Sequence, residues 1–136
     1  MRSLAREAVL RVIYAEEFGN KNEVPAKRSI YKNLKLEEDD VRFAERLVFL
    51  IEKHAAEIEA TIAKYSVAYS AERLFPTDKC ILKIGIAEIL FCEDVPDIVA
   101  AKEETDLAAK YSTQTSPSFV NGVLAALIQD KNAGGK

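Results

Sequence analysis

The sequence predicts an all-α fold, and three observations carry that expectation. The chain is rich in the strong helix formers Ala, Leu, Glu and Lys, with only four Pro and five Gly in 136 residues. Apolar residues recur at three-and-four spacing in one segment after another, the signature of helices that bury one face. The breakers fall between those segments, and no stretch reads as a strand. A composition of 49% hydrophobic and 30% charged residues is that of an ordinary globular protein able to bury a real core. Residues 1–131 are expected to form one domain, and residues 132–136, which hold two of the glycines, a flexible tail.

The first helix is expected from Ser3 to about Phe18. Ala5, Ala8, Val9, Val12 and Ile13 form its apolar stripe, and Gly19-Asn20 supplies the stop. Arg2 and Arg6, four residues apart, share a face. The plain expectation for them is a solvated charged surface. Residues Asn20 to Lys35 read as a polar connection with Pro25 and the basic pair Lys27-Arg28, docked by Ile30, Tyr31 and Leu34 as one or two helical turns. Glu37 to Asp40 then place negative charge where a helix macrodipole favours it. The stripe Val41, Ala44, Leu47, Val48, Ile51, Ala55, Ile58 and Ile62 fits one long helix, or two with a bend near His54.

Tyr65 to Phe75 is a break. Pro76-Thr77-Asp78 opens the next helix, with Thr77 as its cap. Cys80, Ile81, Ile84, Ile86, Ile89 and Leu90 make that helix the most apolar and therefore the central one. A further helix is expected from Pro96 to about Tyr111, followed by a polar turn at Ser112 to Thr115. The last helix opens at Ser116, a good N-cap, with Pro117 at its first position. Val120, Leu124, Leu127 and Ile128 draw its buried stripe. Gly122 costs about 1 kcal/mol relative to Ala inside a helix, so a close approach of another element is expected there.

The chemistry is notable for what it lacks. There is no glycine-rich phosphate loop, HExxH or GxSxG motif. His54, the single histidine, has no acidic or thiol constellation aimed at it. Cys80 and Cys92 read as buried free thiols of a reducing compartment, not as a disulfide or zinc site. No apolar run approaches the roughly 20 residues that span a bilayer, and no signal peptide opens the chain, so a cytoplasmic location is expected. No metal and no cofactor are called for, and the residues favour a binding module over an enzyme. A net charge of −3 means that nucleic-acid binding would need a local basic patch or a basic partner.

Three segments, in order, resemble the NusB family of bacterial transcription antitermination factors. Ala5-Arg6-Glu7-Ala8 with Tyr14 is similar to the family's Arg-rich first helix, "ARxxA…LY". Thr77 to Ile84 followed by Glu88-Ile89-Leu90 resembles "VDRAILRLA-YEL". Val95-Pro96, Glu103, Ala108 to Ser112 and Phe119-Val120-Asn121-Gly122-Val123-Leu124 resemble "VP…NEAVELAK-YS…S-FVNGVL", and the closing FVNGVL is the most specific piece. The likeness covers nearly the whole chain.

The resemblance implies an all-α, NusB-like bundle of about six to seven helices in two packed helical subdomains. It implies an RNA-binding domain that works with the ribosomal protein NusE on boxA-type single-stranded RNA of ribosomal RNA leaders, within the RNA polymerase antitermination complex. Carried over to this sequence, Arg2, Arg6, Tyr14 and Phe119 would face RNA and Asp78 would face NusE. Some positions depart from the pattern. Ser3, Leu4 and Ser118 stand where basic residues are common, Thr115 where an Asp often sits, Lys83 for an Arg, Ala87 for a Tyr and Lys102 for an Asn. Ser3, Leu4 and Ser118 subtract positive charge from the RNA face and weaken phosphate contact, and an RNA face left uncovered would favour a homodimer. Two alternatives follow from the same residues. One is the NusB-like RNA-binding domain of a ribosomal RNA cytosine methyltransferase, which needs a following catalytic domain that is not expected after a chain ending here. The other is a protein-binding helical adaptor with weakened RNA affinity.

Overall fold

The computed structural model describes residues 2–18, 24–66 and 74–134, the side chains of residues 18 and 24–26 excepted. Among them run seven helices and no strand: α1 (Arg2–Phe18), α2 (Val24–Asn33), α3 (Glu38–Lys53), α4 (Ala55–Tyr65), α5 (Pro76–Phe91), α6 (Asp97–Tyr111) and α7 (Ser116–Gly134). Helix α5 packs against α1, α3, α4, α6 and α7. Its sequence explains that place: Ile81, Leu82, Ile84, Ile86 and Ile89 point to several sides and all are buried, and a helix apolar all round must be covered all round. The bundle thus has two parts, with α1, α2 and α3 packed together on one side and α4, α6 and α7 grouped around α5 on the other.

Local chemistry sets the boundaries. Helix α5 begins at Pro76, with Phe75 in the cap position. Proline tolerates the first turn because its missing N–H would have no partner there. Thr77, expected as the cap, is therefore already inside the helix. The long stripe divides into α3 and α4 at His54, whose φ of −108° and ψ of 27° turn the chain. The imidazole there lies flat on the Phe91 ring, with centroids 3.8 Å apart and planes 11° from parallel. The connection before α3 holds a ten-residue helix, α2, longer than its polar composition suggested. It closes with Lys35 at φ 56° and the Leu36 N–H on the Tyr31 carbonyl at 3.0 Å, a left-handed helix terminus.

The close approach expected at Gly122 is absent, since a Cβ there would meet nothing within 4 Å. The crowded glycine is Gly85 on α5, where a Cβ would lie 2.8 Å from Leu124 Cδ1 and 3.3 Å from Glu104 Cγ. Gly85 thus lets α7 and α6 press close to the central helix. Helix α7 runs through Gly134, past the expected end at residue 131. Among the described residues no helix is long and apolar enough to cross a membrane.

Candidate nucleic-acid interface

Helix α1 carries Arg2, Arg6 and Tyr14, and its two faces differ. Arg6, expected on the surface beside Arg2, is only 3% exposed. Its Nε donates to both carboxylate oxygens of Glu88 at 3.0 Å, and its Nη2 to Glu88 Oε1 at 2.7 Å. Its Nη1 donates to Glu103 Oε1 at 3.2 Å, the same oxygen that accepts from Ser3 Oγ at 2.6 Å. The correction has a physical reason. Glu88 stands on the fully buried stripe of α5, one turn after Ile84, and an interior carboxylate must find a cation. Arg6 lies one turn before Leu10 on the inward face of α1 and supplies it. Burial by itself would lower the guanidinium pKa, but the bond and charge of Glu88 outweigh that and raise it.

A second acid completes this core. Glu104 of α6 is 0% exposed, and Arg6 Nε is 3.7 Å from its Oε1, beyond hydrogen-bond reach. Neither oxygen of Glu104 meets a donor. Burial and the neighbouring Glu88 charge push its pKa well above the ordinary carboxyl value. Arg6, Glu88 and Glu104 thus bring α1, α5 and α6 together around one buried ionisable cluster.

The outward face of α1 presents Arg2 and Tyr14. Arg2 is exposed, with its guanidinium 4.3 Å from the centroid of the Phe43 ring and its Nη2 on Asp94 Oδ2 at 3.1 Å. Arg46 of α3 reaches the same carboxylate oxygen at 3.0 Å and so stands beside Arg2, a cationic neighbour that the family pattern did not single out. The Arg46 bond is the main cause that holds Asp94 below the usual carboxylate range. Tyr14 is 41% exposed. Toward the C-terminal end of α6, Glu7 accepts from Tyr111 Oη and from Lys110 Nζ, the latter at 3.0 Å. Burial works against the Glu7 charge, yet these donors prevail and hold its pKa below normal.

Asp78 sits in the first turn of α5 as expected, but its carboxylate points inward and the residue is 3% exposed. Ser116 Oγ donates to its Oδ2 at 2.9 Å, and Ser112 Oγ donates to Oδ1. Asp78 therefore ties the start of α5 to the α6–α7 turn. Ser116, expected to cap α7 with its hydroxyl, is instead the first residue of that helix, and its oxygen accepts the Thr113 N–H at 3.2 Å. Phe119 is half-buried against the core at the first turn of α7.

Cys80 and Cys92 are free and buried, and burial pushes the Cys80 thiol up to about 12, so neither is poised as a nucleophile. Among the described residues no group of three or more His, Cys, Asp or Glu is placed to hold a metal.

The result is an all-helical scaffold with a buried ionic cluster and with outward-facing Arg2, Arg46 and Tyr14 on its rim. The NusB family model matches residues 3–129, and the chain belongs to the NusB family. The transcription antitermination protein NusB of Clavibacter sepedonicus is 38% identical over 130 residues, covering 93% of this chain and 94% of that protein. Among solved structures, NusB from Aquifex aeolicus superposes with a TM-score of 0.78 at 28% identity, covering 99% of this chain and 92% of that one. A crystal structure of the antitermination factors NusB and NusE in complex with double-stranded RNA gives 0.83 at 26% identity, covering 95% and 96%.

Proposed function

We propose that this protein is a transcription antitermination factor that binds RNA together with the ribosomal protein NusE. The observation that carries the reading is the 38% identity to an antitermination protein over 94% of that protein's length. That relative is an antitermination protein, which favours this reading over the RNA-binding domain of a methyltransferase. The fold supports the partnership, because a structural neighbour with 96% of its chain covered is a NusB bound to NusE and RNA.

In this reading Arg2, Tyr14 and Phe119 meet boxA-type RNA of ribosomal leaders. Arginine neutralises phosphate, and aromatic rings take unstacked bases. Arg6 acts from inside, by fixing the pitch of α1 against α5 and α6. Asp78 acts by holding the α6–α7 turn in the shape that the partner meets. NusE, a basic protein, offsets the net charge of −3. The site of action is the cytoplasm, within the RNA polymerase antitermination complex, and no catalytic step is part of this function.

Titrating boxA RNA into the protein with and without NusE tests the reading. Binding in the presence of NusE, steeply weakened by salt, is the expected result. No binding under either condition would sink it and favour the protein-only adaptor. Sedimentation without RNA then shows whether the uncovered face pairs two copies.

A further inference from the structure

On the flank of α1 that faces α3 and α4 lies an open groove of about 390 Å³, closed at its base by α5. We infer that this groove docks a basic segment of a protein partner, with one apolar side chain entering between Lys or Arg residues that meet glutamates on both banks. The inference goes beyond the RNA-binding reading and does not depend on it. Arg2, Tyr14, Asp78 and Phe119 do not border the groove.

The floor is apolar and the banks are acidic. Ile13, Ile51 and Ile58, all buried, form the floor. Glu16 and Glu17 stand on the α1 bank, and Glu52 and Glu59 on the bank made by α3 and α4. Lys83 is the one basic residue of the lining. Its Nζ lies 3.3 Å from Glu17 and 3.8 Å from Glu59, and Lys79, one turn earlier, spans the same pair at 3.7 and 3.2 Å. Both lysines are thus spent in tying α1 to α4 across one end. Glu52, at the α3–α4 side, is exposed and has no ion-pair partner among the described residues. Even with Lys79 counted, carboxylates outnumber ammonium groups around the groove.

That charge selects the occupant. Nucleic acid and acidic lipid are repelled by it. A second copy offering the same groove would set glutamates against glutamates, since a two-fold interface pairs like patches. Among the described residues no group of three or more His, Cys, Asp or Glu could hold a metal. A helix with one apolar side chain, and a base three or four positions to either side on the same face, meets the floor and both banks at once. The lysine ties fix the banks before docking, so little freedom is lost when the partner arrives.

Methyl signals of Ile13, Ile51 and Ile58 in a nuclear magnetic resonance titration report on the floor directly. The probe is a set of blocked helical peptides, each with Leu, Ile, Phe or Met between two lysines on one face. At least one should shift these three signals saturably, while versions with Ser for the apolar residue or Glu for the lysines should not. Glu52→Lys should weaken the binding about threefold or more at low salt, and Ala55→Phe, at an exposed lining position, should block it. Unshifted signals from the buried Ile81 and Ile84 show in the same spectra that each variant keeps its fold. No shift with any peptide overturns the inference. Equal shifts from the Ser versions or from spermidine would make the groove a site for cations at large and overturn the protein partner. Shifts that grow with protein concentration alone would assign the groove to a second copy. Displacement of the peptide by NusE would assign it to that contact instead, and either result overturns the inference. A failure to bind RNA would leave it standing.

Discussion

Glu104 lies wholly buried beside the Arg6–Glu88 ion pair, 3.7 Å from the Arg6 Nε and with no donor on either of its oxygens. A protonated Glu104 has a folded pKa raised above the ordinary 4.5. The group therefore contributes its full stability below pH 4.5 and loses it as pH rises from there through the raised folded value. Glu104→Gln keeps the shape and the donor and removes the titration. Above pH 4.5, where the raised pKa of the native residue costs stability, the variant should be the more stable of the two. Urea unfolding at a series of pH values upward from the ordinary 4.5 should give Glu104→Gln a stability less dependent on pH than that of the unaltered protein. Parallel curves would show that Glu104 does not hold the proton.

Arg6→Ala should be strongly destabilising, by about 3–5 kcal/mol, because it leaves the Glu88 carboxylate uncompensated in the interior. A surface arginine would cost no more than about 0.5 kcal/mol. Thermal or chemical denaturation separates the two outcomes without any RNA. Reduced RNA binding by this variant would follow from the displaced α1 and would not by itself mark Arg6 as a phosphate contact.

Gly85 and Gly122, both inside helices, should respond oppositely to alanine. Gly122→Ala meets open space and should stabilise by about 1 kcal/mol through helix propensity. Gly85→Ala drives a methyl group against the fully buried Leu124, and overpacking of about 1–3 kcal/mol should cancel or exceed the same gain. Equal stabilisation in both variants would refute the tight α5–α7 contact.

Asp78→Ala leaves the hydroxyls of Ser112 and Ser116 without their acceptor and should cost about 1–3 kcal/mol. Its effect on NusE affinity is expected to track the loosened α6–α7 turn. A variant with unchanged stability but lost NusE binding would instead make Asp78 a direct contact.

Arg2→Gln changes an exposed side chain and should leave stability within about 0.5 kcal/mol. If Arg2 meets a phosphate, the slope of log affinity against log salt should fall by about 0.7 for a single strand. An unchanged slope would remove Arg2 from the RNA face.

Periodicity and punctuation in the sequence determined most of the architecture. The three-and-four stripes placed α1, α3 with α4, α5, α6 and α7, because a helix that buries one face must repeat its apolar residues at that interval. The mostly apolar character of residues 80 to 90, interrupted only by Lys83 and Glu88, marked α5 as central for the same reason. Helix α2 was underestimated because its stability comes from docking Tyr31 onto the core more than from its own composition.

The site was less legible. Residue types near one another in sequence do not reveal which way a charged side chain turns, and four-residue spacing put Arg2 and Arg6 together although one faces solvent and the other the interior. A signal did exist: Glu88 falls on the stripe of the most apolar helix, and such an acid implies a buried cation. Only the tertiary structure decided that the cation is Arg6, that Glu104 is buried beside the pair, and that Gly85 rather than Gly122 is the point of close approach. Each of these depends on which helices meet, and at what distance, across long stretches of intervening chain, which no local pattern encodes.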